Sequence, residues 1–315
     1  MAFLHQQPLN CLGFDIAKDT ITVSGGLSKS AHTIANMHGA IRAFLKRAAP
    51  DFIVCEPTGG YELALLDEAM RAGIACHRVD LARFKGFIRS LGTRGKTDAL
   101  DAAMLALYGR ERWSALPLWQ KPDAHERQLK LLVRRRHELM AIKNAEQNRA
   151  RAPAHKPLAA SFKAIIAVVQ RQIEAIEHAI AAVIRQSGSL ARRAAIITGM
   201  NGIGATTAAA LLALLPELGA MSRRQAAALA GVAPHPVDSG TKHGYRKMRG
   251  GRPEIRTVLF MPALRAAAGM GEFANNYKRL VANGKKPIVA IAVVMRKIVV
   301  TLNARLRDLA PIPQS

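Results

Sequence analysis

Four carboxylates and one serine stand at positions suited to chemistry on a phosphodiester. Asp15 lies near the end of a short apolar run, Cys11–Ile16, and Lys18 and Asp19 follow it. Glu56 ends a second run, Phe52–Cys55, and opens the stretch Glu56-Pro-Thr-Gly-Gly60. Asp98 and Asp101 are three residues apart in helix-favouring sequence, so both face one side of that helix. Sites in open α/β sheets are built at strand ends. Carboxylates from two strand ends and one helix can converge on one or two Mg²⁺ ions, which prefer oxygen ligands. Paired ions of this kind stabilise the attacking and leaving oxygens of a phosphodiester.

The serine lies in a different region. Ser239 sits in a glycine-bounded stretch, Gly231 to Arg252, and is followed by Lys242, Arg246, Lys247, Arg249 and Arg252, with Arg256 just beyond. Cations there could stabilise an alkoxide and the charge that develops at phosphorus. The plainer alternative is a turn serine beside a nucleic-acid-binding or solvated basic face. The acids lack a nucleophile and the serine lacks metal ligands. The two half-sites are therefore complementary, and they are expected to form one composite centre.

These residues need a scaffold. Cys11–Ile16, Thr20–Ser24 and His32–Asn36 read as three strands, and Met37–Ala48 as a helix with Ile41, Phe44 and Leu45 on one face. Phe52–Cys55 is apolar throughout, as a strand buried on both faces should be. A helix over Tyr61–Ala72, a strand over Ile74–Val79 and a helix over Thr97–Gly109, with Thr97 as N-cap, complete the order βββαβαβα. That is the element order of a ribonuclease H-like fold. His125–Ala150 is helical, and Ile166, Val169, Ile173, Ile176, Ile180 and Val183 then recur at coiled-coil spacing. This seam packs either on a partner subunit or back on the 125–150 helix. Beyond it, Asn201-Gly-Ile-Gly204 joins two apolar helices as a helix–hairpin–helix would, so Gly202 and Gly204 could admit a phosphate to backbone N–H groups. Further helices are expected over Leu214–Leu218, Arg224–Leu229, Arg256–Ala268 and Ile288–Leu306. The fold class is α/β plus all-α, with a boundary near 112, a helical or coiled-coil linker over 113–190 and a helical domain over 191–315.

Charge points to a polyanionic partner. Residues 1–110 carry 13 Lys or Arg against 10 Asp or Glu, whereas residues 111–315 carry 33 against 12. Neutralising nucleic-acid phosphates is the commonest use of such an excess. Cys11, Cys55 and Cys76 have no metal-ligand spacing, and their odd number argues against a disulfide framework. They read as small core residues in a reducing cytoplasm. The charge-free stretch Ala194–Pro216 is long enough to span a bilayer, but Gly199, Asn201, Gly202 and Gly204 interrupt it. A buried helix pair, and no membrane partner, is the expectation.

Three motifs in order carry a resemblance: Gly13-Phe-Asp15-Ile-Ala-Lys18-Asp19, Glu56-Pro-Thr-Gly-Gly60-Tyr61 and Lys96-Thr-Asp98-Ala-Leu-Asp101. They are similar to the RuvC-like DEDD domain of IS110 family transposases. Asn201-Gly-Ile-Gly204, Ala228–Pro234, Ser239-Gly240 and Arg252–Arg256 are similar to that family's C-terminal domain. The resemblance implies that Asp15, Glu56, Asp98 and Asp101 bind Mg²⁺ and that Ser239 attacks DNA. It also implies an oligomeric recombinase (dimer or tetramer) guided by a structured bridge RNA, in a bacterial or archaeal cytoplasm close to the nucleoid. Piv-type DNA invertases share both domains. Two positions depart from the family pattern: Asn201 replaces a usual proline, and Gly250–Arg256 replaces a usual Arg-Gly-Asn stretch. A sugar-kinase or actin-like ATPase would need a second phosphate loop and a glycine-rich adenosine motif, and neither is found. A non-catalytic nucleic-acid binder would not need the four acids.

Overall fold

The computed structural model describes residues 3–27, 30–92, 95, 97–235, 238–239, 242–243 and 247–308; for residues 238, 239, 242 and 243 it describes the backbone. The chain divides into two compact units, Met1–Lys121 and Pro122–Ser315.

The first unit is a five-stranded sheet between two helical layers. Its elements are β1 (Cys11–Ile16), β2 (Thr20–Ser24), β3 (His32–Ala35), α1 (His38–Ala48), β4 (Phe52–Cys55), α2 (Leu63–Arg71), β5 (Ala75–Arg78), α3 (Leu81–Ser90) and α4 (Asp98–Arg112). The sheet order is β3-β2-β1-β4-β5. β1, β2 and β3 pair antiparallel, while β1, β4 and β5 pair parallel. The three antiparallel strands followed by parallel βα units match the order read from sequence. The helix α3 was not expected. Asp80 starts it by accepting from the Arg83 N–H at 3.0 Å.

Alternation along the central strands divides the core in two. Phe14, Ile53 and Cys55 pack with Ile41, Phe44, Leu65 and Leu66 of α1 and α2. Cys11, Phe52 and Val54 pack on the opposite side with Phe84 and Phe87 of α3 and Met104, Leu105 and Tyr108 of α4. The three cysteines are buried and unpaired. Burial pushes the Cys11 and Cys76 thiols up to about 12, and Cys55 higher still, so all three behave as small apolar groups.

Gly13 decides how closely α4 approaches β1. A Cβ there would lie 2.0 Å from the Ala102 carbonyl oxygen and 2.4 Å from the Ala106 nitrogen. Farther back, the Cys11 Sγ donates to the Ala106 carbonyl at 3.5 Å, and a Cβ on Gly109 would lie 2.6 Å from that sulfur. Residues 11 and 13 thus face 106–109 and then 102–106, so α4 runs antiparallel to β1. Its first turn lies at the carboxyl end of the strand.

On the other face, α1 and α2 are joined by one buried carboxylate. The Glu68 side chain is 1% exposed and meets His38 Nδ1 at 2.9 Å, Arg42 Nε at 2.8 Å and the Arg71 guanidinium. Arg42 does most to hold its pKa down, from 4.5 to about 2, against burial, which acts the other way.

The second unit is mainly helical. It begins with α5 (Ala124–Ala150) and α6 (Ala159–Gln186), separated by a 3-10 turn at Pro153–Leu158. The apolar seam is buried within the chain: Val169 and Ile173 pack on Leu139 of α5, and Ile180 and Val183 share a core with Leu129 and Val133. A partner subunit is not needed to cover those four residues. Then come α7 (Gly188–Thr198), α8 (Ala205–Leu214), α9 (Arg223–Leu229), the two-residue strands β6 (Pro234–His235), β7 (Asp238–Ser239), β8 (Lys242–His243) and β9 (Lys247–Met248), then α10 (Pro253–Ala267), α11 (Ala274–Ala282) and α12 (Pro287–Arg307).

Two expectations are corrected here. Residues 215–218 form a turn rather than a helix, because α8 ends at Leu214 and Pro216 cannot continue it. The region after 191 is not wholly helical, since β6–β9 form two small ribbons. The apolar run 194–216 is split between α7 and α8, as expected of a helix pair joined by a glycine turn, and α12 is the one described helix long and apolar enough to cross a membrane. Val294, Ile298, Val299 and Leu302 of α12 are buried with Leu259 and Ala263 of α10.

Two outcomes follow from these contacts. Gly13→Ala should force β1 and α4 apart and cost roughly 1–3 kcal/mol or more, read as a lower urea midpoint. The ionised Glu68 contributes stability in full above pH 4.5, and that contribution is lost as pH falls through about 2. The melting-temperature gap between wild type and Glu68→Gln should therefore be full at pH 6 and close towards pH 2; a constant gap would show that the charge is not what matters.

Candidate active site

Strand register brings the first two acids together. β1 and β4 pair in parallel with Phe14 opposite Cys55, so Asp15 and Glu56 are the next residues along adjacent strands at their carboxyl ends. Alternation sets their direction. Cys11 and Gly13 face α4, as do Phe52 and Val54, and residues 15 and 56 continue those rows. The first turn of α4 carries the other two acids, Asp98 and Asp101. Thr97 starts that turn as expected, its side chain accepting from the Leu100 N–H at 3.2 Å. Because α4 is antiparallel to β1, its first turn lies at the same edge as Asp15 and Glu56.

Asp98 is exposed, and Asp15, Glu56 and Asp101 are half-buried. Among the described residues, no group of three or more His, Cys, Asp or Glu stands close enough together to hold a metal ion. The four acids share one edge of the sheet but do not form a coordination sphere. Their donor chemistry, oxygen only, suits Mg²⁺.

Sequence reasoning missed the side chains that hold this edge in shape. Asn36 and Glu62 bind the backbone of the loops that follow β1 and β4. Glu62 is buried, which by itself raises a carboxyl pKa. Its own backbone N–H, those of Thr58 and Gly60, and the Arg78 guanidinium outweigh that and hold it below the usual range. A glutamate just after a Gly-Gly pair and before an apolar helix is the only local signal. The partners Asn36 and Arg78 carry none.

The serine lies on a β-ribbon of the second unit. Pro234 pairs with Met248 and His235 with Lys247 in one ribbon, and Asp238 pairs with His243 and Ser239 with Lys242 in the other. The side chains of Ser239 and Lys242 and the whole of Arg246 lie outside the described residues.

The neck of the ribbon is closed by glycine and arginine. A Cβ on Gly251 would lie 2.3 Å from the Gly231 nitrogen and 2.5 Å from the Ala228 carbonyl oxygen. One Arg256 nitrogen donates to the Gly250 carbonyl at 2.7 Å and the Gly231 carbonyl at 3.3 Å, joining both ends of the segment. Arg252 forms a two-pronged pair with Glu217 at 2.7 and 2.6 Å and donates to the Leu214 carbonyl at 2.8 Å. Burial raises the Glu217 pKa, but the Arg252 bonds outweigh it and hold the carboxyl low. Two of the expected phosphate contacts thus build the base of the ribbon, whereas Lys247 and Arg249 are exposed. Gly202 and Gly204 lie in the turn between α7 and α8, with Gly204 as the N-cap of α8 and Ile203 buried.

Comparison with known proteins gives matches on both halves. A transposase family model of the DEDD IS110 type matches residues 12–153, and a model described as transposase IS116/IS110/IS902 family matches residues 194–278. The pilin gene-inverting proteins of Moraxella lacunata and Moraxella bovis are each 28% identical to this chain, covering 95% of it and 96% of their own length. Among solved structures, Thermus thermophilus RuvC matches with a TM-score of 0.27 and 16% identity, over 35% of this chain and 99% of its own. With a transposase model on each half and inverting proteins alike along nearly the whole length, this chain belongs to the IS116/IS110/IS902 family of transposases.

Proposed function

We propose that the protein cuts and rejoins DNA by serine transesterification, with Ser239 as the nucleophile and Asp15, Glu56, Asp98 and Asp101 as a Mg²⁺-binding set. The observation that carries this reading is the meeting of two strand ends with the first turn of α4 at one edge of the sheet. A purely structural sheet edge has no use for four acids there. Closing the first turn of α4 onto the strand ends would complete the ligand set. Mg²⁺ bound there would supply charge neutralisation at a scissile phosphodiester.

In the bond-exchange step, the Ser239 oxygen forms a bond to phosphorus and the bond to the leaving deoxyribose oxygen breaks. The serine proton passes to a base, and the leaving oxygen takes up a proton. The number of phosphodiester bonds is conserved, so rejoining needs no other energy source. A serine hydroxyl is a weak nucleophile, and nearby cations would stabilise the charge that develops. Lys247 and Arg249, exposed at the ribbon, fit that role together with Lys242 and Arg246.

Recombination exchanges two duplexes, so at least two active sites must be held together, which calls for a homo-oligomer. The excess of 33 basic over 12 acidic residues after position 110 supports a large polyanionic ligand, DNA together with a structured guide RNA. Inversion between fixed sites is the second reading, supported by the names of the Moraxella relatives. It uses the same chemistry, and the DNA flanking the gene separates the two.

Ser239→Ala should abolish recombination and the covalent protein–DNA adduct trapped on denaturing gels, with DNA binding retained. Persistence of the adduct would assign the nucleophile elsewhere. Lys247→Ala combined with Arg249→Ala should weaken DNA binding and reduce the slope of log affinity against log salt by about two units. An unchanged slope would remove the ribbon from the DNA interface.

A further inference from the structure

The turn after Asp15 and the loop after Glu56 are tied together by side chains from outside both. Asn36, just past β3, donates from Nδ2 to the carbonyls of Ala17 at 2.9 Å, Tyr61 at 3.1 Å and Lys18 at 3.4 Å. Its backbone N–H donates to the Asp19 carbonyl at 2.9 Å. One residue therefore links the turn after Asp15 to the far end of the loop that Glu56 opens. The three carbonyls fix the orientation of the amide, since a flipped amide would set oxygen against oxygen. Its own Oδ1 is left buried with no hydrogen-bond partner in the structure.

Glu62 holds the same loop from inside. Its side chain is 3% exposed. Oε2 accepts from the Gly60 N–H at 2.9 Å, the Thr58 N–H at 3.1 Å and the Thr58 hydroxyl at 3.2 Å. Oε1 accepts from Arg78 at 3.0 Å. Arg78 is opposite Cys55 in the ladder, one residue before Glu56, so the clamp is anchored on the neighbouring strand.

We propose that Asn36 and Glu62 are positioning residues that set the separation of Asp15 and Glu56, and so the affinity of this edge for a divalent cation. This rests on the reading of Asp15 and Glu56 as metal ligands. Neither residue needs to touch the ion. Each holds backbone that begins two residues beyond a ligand, Asn36 at Ala17–Asp19 and Glu62 at Thr58–Gly60, and supporting contacts outside the ligands commonly change metal affinity by about 10–100-fold.

The test uses the full-length chain carrying Asn36→Asp, which replaces the donor facing three carbonyls by an acceptor, or Glu62→Gln, which keeps the shape and removes the charge. Two readouts apply: hydrogen exchange of the 57–61 backbone without metal, and Mn²⁺ affinity by electron paramagnetic resonance. Both variants should exchange faster at 57–61 and bind Mn²⁺ about 10–100-fold more weakly, with metal-free DNA binding unchanged and cleavage restored by excess metal. If Asn36→Asp does not fold, Asn36→Ser takes its place. Wild-type exchange and Mn²⁺ affinity in these variants, alongside lost affinity in Glu56→Gln, would overturn the proposal and leave the ligand assignment standing. Wild-type affinity in Glu56→Gln as well would overturn the assignment, and this proposal with it.

Discussion

Everything at the sheet edge depends on the absence of one side chain. With hydrogen at Gly13, the α4 backbone can lie directly on β1, nearer than any Cβ would allow. That contact fixes the height of α4 along the strand and therefore where its first turn ends. Asp98 and Asp101 reach the edge because Gly13 lets the helix that carries them settle there. The parallel pairing of β1 and β4 then supplies Asp15 and Glu56 in register. A shift of α4 by one turn, about 5.4 Å, would carry Asp98 and Asp101 along the strand and away from that register.

Two sets of carboxylates in this protein contrast with each other. Glu62, Glu68 and Glu217 are each bonded to arginine: Arg78, Arg42 with Arg71, and Arg252. Removing charge from water is costly, and such pairs are tolerated where geometry and further hydrogen bonds are good. Each carboxyl is held below its usual pKa, Glu62 mainly by backbone N–H groups with Arg78 adding to them, Glu68 mainly by Arg42 and Glu217 mainly by Arg252. These acids hold backbone and helices in place. At the sheet edge Asp98 is exposed and Asp15, Glu56 and Asp101 are half-buried, whereas Glu62 and Glu68 are buried.

The same division applies to the arginines of the ribbon. Arg252 and Arg256 follow the charge run so closely that they read as further phosphate contacts. The structure turns them inward, one to Glu217 and one to the carbonyls that close the neck. Guanidinium groups suit this work because their several donors are fixed in one plane. A ribbon built from two-residue strands has few ladder bonds of its own, so its base must be made rigid by side chains.

Much of the first unit was legible from sequence, because strands buried on both faces and helices with one apolar face leave strong periodic signals. Phe52–Cys55, Ile41-Phe44-Leu45 and the Thr97 cap all read directly, and the motif order was enough to identify the family. Local pattern could not reveal the ribbon around Ser239, whose strands are too short to show a period. It could not say whether the Val169–Val183 seam met α5 or another chain, since both choices use the same spacing. Nor could it identify Asn36 and Glu62, whose partners are backbone carbonyls and N–H groups, which every residue carries and no sequence pattern marks. The identity of the acids follows from residue type and order. Their placement at one edge follows from strand register and the Gly13 contact, because only packing decides which turn of a helix rests on which residue of a strand.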